Sequence, residues 1–235
     1  MSTPYTLRFL RGGARTVAAV SASVFSTSFL APDENPLSEG GVWKENNTSR
    51  AKVQKIGGHA FGLGTNNDGY AYLSGWGDSI IETTVFRDAT LGDADPNSYE
   101  VEHLHRLTDG ASFTNCYELD FAYTNGFNIV RWSGATSFAV LTGLVTDTNF
   151  WPDGAGGQLR DGHKIKSELI AATSTINIYA DVGSGYVKYF HYVLGTDATN
   201  DATPLTSGDP AISFFTTLGN SNLFGMKFAR LTKLS

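Results

Sequence analysis

One cysteine, Cys116, stands in a chain of 235 residues, which excludes an intrachain disulfide and any metal cluster built from several thiolates. Such a residue reads as a small buried hydrophobe. Basic residues are also scarce: 17 Lys and Arg face 23 Asp and Glu, for a formal charge of -6. That balance leaves no broad cationic surface for phosphates, so neither nucleic acid nor an anionic membrane is an expected partner. No run approaches the roughly 18 apolar residues that a membrane-spanning helix needs. No stretch shows a convincing helical period, and no internal repeat or low-complexity linker divides the chain. All-β sandwiches reach roughly 200–250 residues as one domain, so one large domain is expected.

What is present is a 41% hydrophobic complement with 26 glycines, enough for a sizeable core and many tight turns. From Tyr99 onward, strand patterns alternate with turn signals. Tyr99 to His105 alternates, and so does Phe113 to Tyr123. In the second run Phe113, Tyr117, Leu119, Phe121 and Tyr123 share one face while Glu118 and Asp120 share the other, which predicts one core face and one wet face. Asn125-Gly126 supplies a hairpin turn into Phe127 to Trp132. Further strands are predicted at 137–144, 163–171, 175–182, 186–194, 211–217 and 223–234. The inserts 146–161 and 195–210 read as exposed loops. Residues 29–56 carry Pro32, Pro36, Gly40 and Gly41, with Leu37 and Trp43 as anchors able to close one end of a sandwich.

The N-terminus holds Arg8, Arg11 and Arg15 ahead of Val17-Ala18-Ala19-Val20, an arrangement that imitates a secretory signal. Ser21, Ser23, Ser26, Thr27 and Ser28 interrupt the apolar run, so no cleaved signal peptide is expected. A retained arm of this kind, hinged at Gly12-Gly13, adds a strand or grips a neighbour.

The string Phe29-Leu30-Ala31-Pro32-Asp33-Glu34-Asn35-Pro36-Leu37-Ser38-Glu39-Gly40-Gly41-Val42-Trp43 resembles the opening of bacterial and phage concanavalin A-like lectin/glucanase (LamG-like) modules. Asp109-Gly110-Ala111, Asn115 to Leu119, Ile129 to Gly134, Leu159 to Ile165, Ile176 to Tyr179 and Ser207 to Phe215 are similar to segments that follow in that order. The departures are Leu30-Ala31, where an Arg is usual, and Asp209-Pro210-Ala211, where a Gly-rich turn is more common. The resemblance implies an all-β fold, a two-sheet antiparallel jelly-roll β-sandwich, over residues 25–235. Residues 1–24 have no counterpart and read as an N-terminal arm or extra strand. The superfold hosts lectins, hydrolases, lyases and structural modules, so the resemblance leaves activity open.

Glu118-Leu119-Asp120-Phe121 resembles the start of the laminarinase-type signature Glu-x-Asp-x-x-Glu, a chemistry that places two carboxyl groups about 5–5.5 Å apart. The position of the last acid holds Tyr123, so Glu118 and Asp120 read as polar outer-face residues and no catalytic residue is assigned. His103 and His105 share a face opposite Glu100 and Glu102 and read as structural or surface residues, with no metal assigned. The oxygen-rich loops 66–69 and 197–201 read as ordinary turns, calcium being the one ion they could hold; no other cofactor is implied. Saccharides stack on aromatic rings and hydrogen-bond to polar groups beside them, which makes Trp76, Trp132, Trp151, Glu118, Asp120 and Arg131 the candidate ligand-binding residues. Trp132 shares a face with Val130 and Asn128, so it is either core or a concave-face platform. Trp151 sits in a Gly-rich loop.

These readings lead to a non-enzymatic, lectin-like protein of the phage virion type, a decoration or attachment subunit with glycan binding as a further role. Other subunits of a larger assembly are its expected partners through the N-terminal arm, in an oligomer on a virion or extracellular surface. Two alternatives stay open: a secreted bacterial carbohydrate-binding module, and a glycoside hydrolase or polysaccharide lyase using Glu118, Asp120, His103 or Arg131.

Overall fold

The structure, a computed structural model, describes residues 23–30, 32–45, 50–66, 68–91, 99–108, 115–122, 126–134, 137–142, 159–217 and 221–234. Fourteen strands occupy these residues: β1 (Val24–Thr27), β2 (Val53–Ile56), β3 (His59–Gly62), β4 (Gly69–Tyr72), β5 (Ser79–Arg87), β6 (Tyr99–Thr108), β7 (Asn115–Ala122), β8 (Gly126–Ser133), β9 (Phe138–Val140), β10 (Lys164–Ile170), β11 (Thr175–Asp181), β12 (Val187–Val193), β13 (Asp209–Thr216) and β14 (Phe224–Lys233). Three single 3₁₀ turns are the only helical elements among the described residues.

All strand pairs are antiparallel and form two sheets. The first runs β12-β11-β10-β5-β14-β3-β2, with β1 also on β14; the second runs β4-β13-β6-β7-β8-β9. This is the two-sheet antiparallel sandwich that the sequence predicts. Five strands precede Tyr99, where the sequence pattern shows none. Their signal is weak for a physical reason: β5 lies between β10 and β14, and Ile80 and Ile81 put apolar side chains on both of its faces.

The core lies between the sheets, where Ile81, Val85, Val101, Leu119, Phe121, Phe127, Ile129, Ile165, Ile178, Ile212, Met226 and Leu231 are buried. One polar seam crosses it. The Ser167 hydroxyl bridges His103 Nδ1 at 2.8 Å and His105 Nε2 at 2.7 Å, and Thr83 Oγ1 meets His103 Nε2 at 2.8 Å. Burial first, then the neighbouring His105, holds the His103 imidazole well below its usual pKa; burial takes His105 to about 3. Both histidines are therefore neutral pins between the sheets, as their structural reading expected.

Residues 29–30 and 32–43 form a clamp at one edge. Glu34 Oε2 accepts the Ser38 and Glu39 backbone N–H groups at 2.6 and 2.7 Å, and Lys55, 1% exposed, sits between Glu34 and Glu39 at 3.2 and 3.4 Å. Glu39 also accepts the Thr27 hydroxyl and the Trp43 indole N–H, and Trp43 packs edge-on against Phe25 of β1. Gly40 and Gly41 continue the turn after Glu39 at positive φ, a conformation that glycine takes without strain. The clamp docks β1 against the C-terminal half of β14, with Val24 opposite Thr232. Residues 1–22 lie outside the described residues.

Candidate functional site

Because side chains alternate, the second sheet turns Val101, His103, Leu119, Phe121, Phe127 and Ile129 into the core and sends their neighbours to the opposite, outer face. Register then aligns four polar residues in one row across four strands. Ser213 of β13 pairs with Glu102 of β6, Glu102 with Asp120 of β7, and Asp120 with Asn128 of β8. One step along, Glu118 pairs with Leu104 and Val130; Glu100 lies one step the other way, opposite Ala122.

This face was expected to be wet, and that expectation is corrected: Glu102 is 0% exposed and Glu118 6%. The cover comes from a remote segment. Lys44 and Ala51 bridge to Tyr72 and Gly69 beside β4, and Arg50 reaches across the face to lie 4.9 Å from the Trp132 ring centroid. Arg50 is paired with Asp68 at 2.5 Å. Tyr70, Tyr72, Leu104, Cys116 and Ala211 form an apolar apron on the same side, with Trp132 packed against it.

Trp132 is thus resolved as an outer-face residue. Its indole N–H donates to Glu118 Oε2 at 2.7 Å, and its ring lies 5.0 Å from that of Phe138, which is 57% exposed on β9. The two rings make an aromatic edge beside the acidic row. Phe138, Glu102, Asn128, Ser213 and Arg50 are site residues that sequence reasoning did not select.

The electrostatics of the row are strongly perturbed. Burial, then the charges of Glu118, Asp68, Glu100 and Asp120, pushes Glu102 well above the ordinary carboxylate range. Burial, then Asp68 and Asp120, does the same to Glu118 against the pull of the Trp132 N–H and Arg50. Glu100 is raised by burial and by Asp120, Glu118 and Asp68. Asp120 is pushed up to about 7 by burial and Asp68, with the Asn128 amide pulling the other way.

Hydrogen-bonding capacity along the row is unused. Both carboxyl oxygens of Glu102, Oδ1 of Asp120, Oδ1 of Asn128 and Oγ of Ser213 are buried without a hydrogen-bond partner. Buried acceptors are normally satisfied, because leaving one unmade costs about 1–3 kcal/mol. Four such residues lie side by side in register across β13, β6, β7 and β8.

The other sequence candidates lie elsewhere. Arg131 sits one residue from Trp132, so it faces the other way, and its guanidinium pairs at 2.9 Å with Asp201, which is 0% exposed and also accepts the Tyr117 hydroxyl and the Gly195 N–H. These three donors engage both oxygens of Asp201 from within the chain. Asp68, from the other candidate calcium loop, is held by Arg50. Among the described residues, no group of three or more His, Cys, Asp or Glu side chains is arranged to hold a metal ion. Trp76 lines a groove of about 680 Å³ with Asp78, Ala171, Thr206 and Lys233, and none of the row residues reaches it. Asp209 shapes that turn by accepting the Trp76 N–H at 2.7 Å. Trp151 and Tyr123 lie outside the described residues.

No family model matches the chain, and no curated protein matches its sequence. Solved structures do resemble it. A protein of unknown function from Shewanella oneidensis MR-1 aligns with a TM-score of 0.52 and 13% identity, over 94% of this chain and 90% of that one. The GH43 protein BlXynB of Bacillus licheniformis aligns with a TM-score of 0.50 and 9% identity; the match covers 89% of this chain but only 39% of that one. The carbohydrate-binding module CBM66 of Bacillus subtilis aligns with a TM-score of 0.47 and 11% identity, over 84% and 95% of the two chains. At such identities likeness speaks for fold, and the fold is the concanavalin A-like jelly roll.

Proposed function

We propose that this chain is a lectin-like glycan-binding module whose saccharide platform is the outer face of the second sheet. The observation that carries the reading is the row Ser213, Glu102, Asp120 and Asn128, two buried and two half-buried side chains with unused hydrogen-bonding atoms beside the Trp132–Phe138 edge. A saccharide supplies what this face lacks: hydroxyl donors for the row and a C–H face for the rings. Entry of the sugar displaces Arg50 from Trp132. In its finer form the reading is a non-enzymatic attachment or decoration protein of the virion type, in which residues 1–24 engage other subunits. The test is a glycan array with the full chain, together with size measurement in solution. Selective glycan capture by an oligomer is the expected result. Silence across the array would overturn the glycan reading, and a monomer with no affinity for any particle would overturn the assembly role.

A second reading, glycan hydrolysis, is favoured by one observation. The acid that the laminarinase-type signature lacks along β7 has a cross-strand substitute in Glu102, directly opposite Asp120. Side chains so paired have Cβ atoms about 4.5–5.5 Å apart, which brings two carboxyl groups onto the same face as neighbours. An Asp120 pKa of about 7 suits acid–base work near neutrality. Release of reducing ends from a captured glycan, abolished in Glu118→Gln, would establish it; intact glycan after prolonged incubation would exclude it.

A further inference from the structure

We infer that the ligand of the acidic row is a saccharide bearing free primary amines, which displaces Arg50 from Trp132 and presents an ammonium group to the row. This rests on the glycan reading above and names its substrate class.

The first observation is charge. Glu100, Glu102, Glu118, Asp120 and Asp68 lie within electrostatic reach of one another, and among the described residues the cation acting on this group is Arg50. Arg50 is already shared with Asp68. The second observation is independent of the acidic cluster as such: Glu102, 0% exposed, turns two unpartnered carboxyl oxygens into it. An ammonium group favours the ionised form of carboxyls whose pKa burial and like charge have raised, and its three N–H donors then make charge-assisted hydrogen bonds, roughly twice as strong as the neutral ones a hydroxyl offers.

The third observation is the seat itself. Arg50 lies 4.9 Å from the Trp132 centroid, so the chain's own cation shows that this ring accepts positive charge on its face. Trp132 is locked in that orientation by Glu118. An amine-bearing sugar ring therefore finds three features side by side: an aromatic face for its C–H surface, a carboxylate edge at Glu118, and the empty acceptors of Glu102 and Asp120 for its ammonium. The described carboxylates are not grouped to hold a metal ion, and an extended organic cation matches their spread along a row better than a point charge does.

The test is calorimetric titration of the full chain at neutral pH with three tetramers: glucosamine, N-acetylglucosamine and the neutral glucose tetramer from cellulose. The glucosamine tetramer is expected to bind about tenfold or more tightly than the other two, since a charge-assisted hydrogen bond is worth about that factor. The preference should vanish in Glu102→Gln and in Glu118→Gln. Both changes keep side-chain volume, thermal melting confirms folding, and Asp120→Asn replaces either variant that fails to fold. Asp161→Asn should retain the preference, because that carboxylate is 50% exposed and paired with Lys227 outside the cluster. Equal affinity for all three tetramers would overturn the inference and leave the glycan reading standing. Loss of the preference in Asp161→Asn would also overturn it, by assigning the effect to overall charge. No binding of any tetramer would also overturn it, while the glycan array decides the glycan reading separately.

Discussion

Replacing Asp120 by Asn should stabilise the protein, and by an amount that grows with pH. In the unfolded chain this carboxyl titrates near 3.9, as ordinary Asp does, whereas the fold raises it to about 7. Below roughly pH 4 it is protonated in both states, and the neutral amide changes little. As pH rises from about 4 to about 7 the unfolded chain releases the proton and the folded chain keeps it, so the wild type loses about 1.4 kcal/mol per pH unit relative to the variant. Over that window the ceiling is ~4 kcal/mol; because Asp120 is half-buried and shares its field with Glu118 and Glu102, ~2 kcal/mol is the working expectation. Above pH 7 the difference should level off. His103 and His105 oppose this trend: their depressed pKa values make the folded state lose stability as pH falls below about 6.5. Both chains carry these histidines, so their contribution cancels in the difference. Urea unfolding of the two proteins at steps from pH 4 to pH 9 measures it. A pH-independent difference, or a variant less stable than wild type at pH 8, would refute the placement of Asp120 in a dry acidic row.

Three further outcomes follow from other parts of the fold. Ser167→Ala removes the hydroxyl shared by His103 and His105, leaving two buried imidazole nitrogens without that partner; a loss of about 2–4 kcal/mol is expected in denaturant unfolding. Arg131→Gln strips the cation from buried Asp201 and should cost about 3 kcal/mol in the same assay, yet leave saccharide affinity unchanged because it lies on the far side of the sheet. Glu34→Ala deprives two backbone N–H groups of their acceptor and Lys55 of one of its two carboxylates; a fall of about 3–5 kcal/mol in thermal or urea unfolding is expected.

Much of the sandwich was legible because period-two alternation is strong from Tyr99 onward, and the β7 pattern assigns Tyr117, Leu119 and Phe121 to the core and Glu118 and Asp120 to the other face. The character of that face was not legible. Its cover comes from Arg50 and Asp68, far back in the chain, and no local pattern announces that a remote segment will cross a sheet. Glu102 was visible as a polar residue, but its place opposite Asp120 depends on the register between β6 and β7, and that pairing carries a bulge between His105 and Thr108. Arg131 is different: its position next to Trp132 already implies opposite faces by the same alternation that assigned β7, whereas its partner Asp201 is legible only in the fold. The clamp at 29–43 was legible as a motif and as an anchor, whereas its hydrogen-bonding logic needed Lys55 of β2.

The most direct test of the platform on the second sheet is a saccharide titration of the wild type, Trp132→Ala and Trp76→Ala, each confirmed as folded. Binding by the wild type, at least about tenfold weaker in Trp132→Ala and unchanged in Trp76→Ala, is the predicted result, since stacking on one aromatic ring is worth about that much. Binding lost through Trp76→Ala and kept in Trp132→Ala would move the site to the groove beside Lys233 and contradict the account.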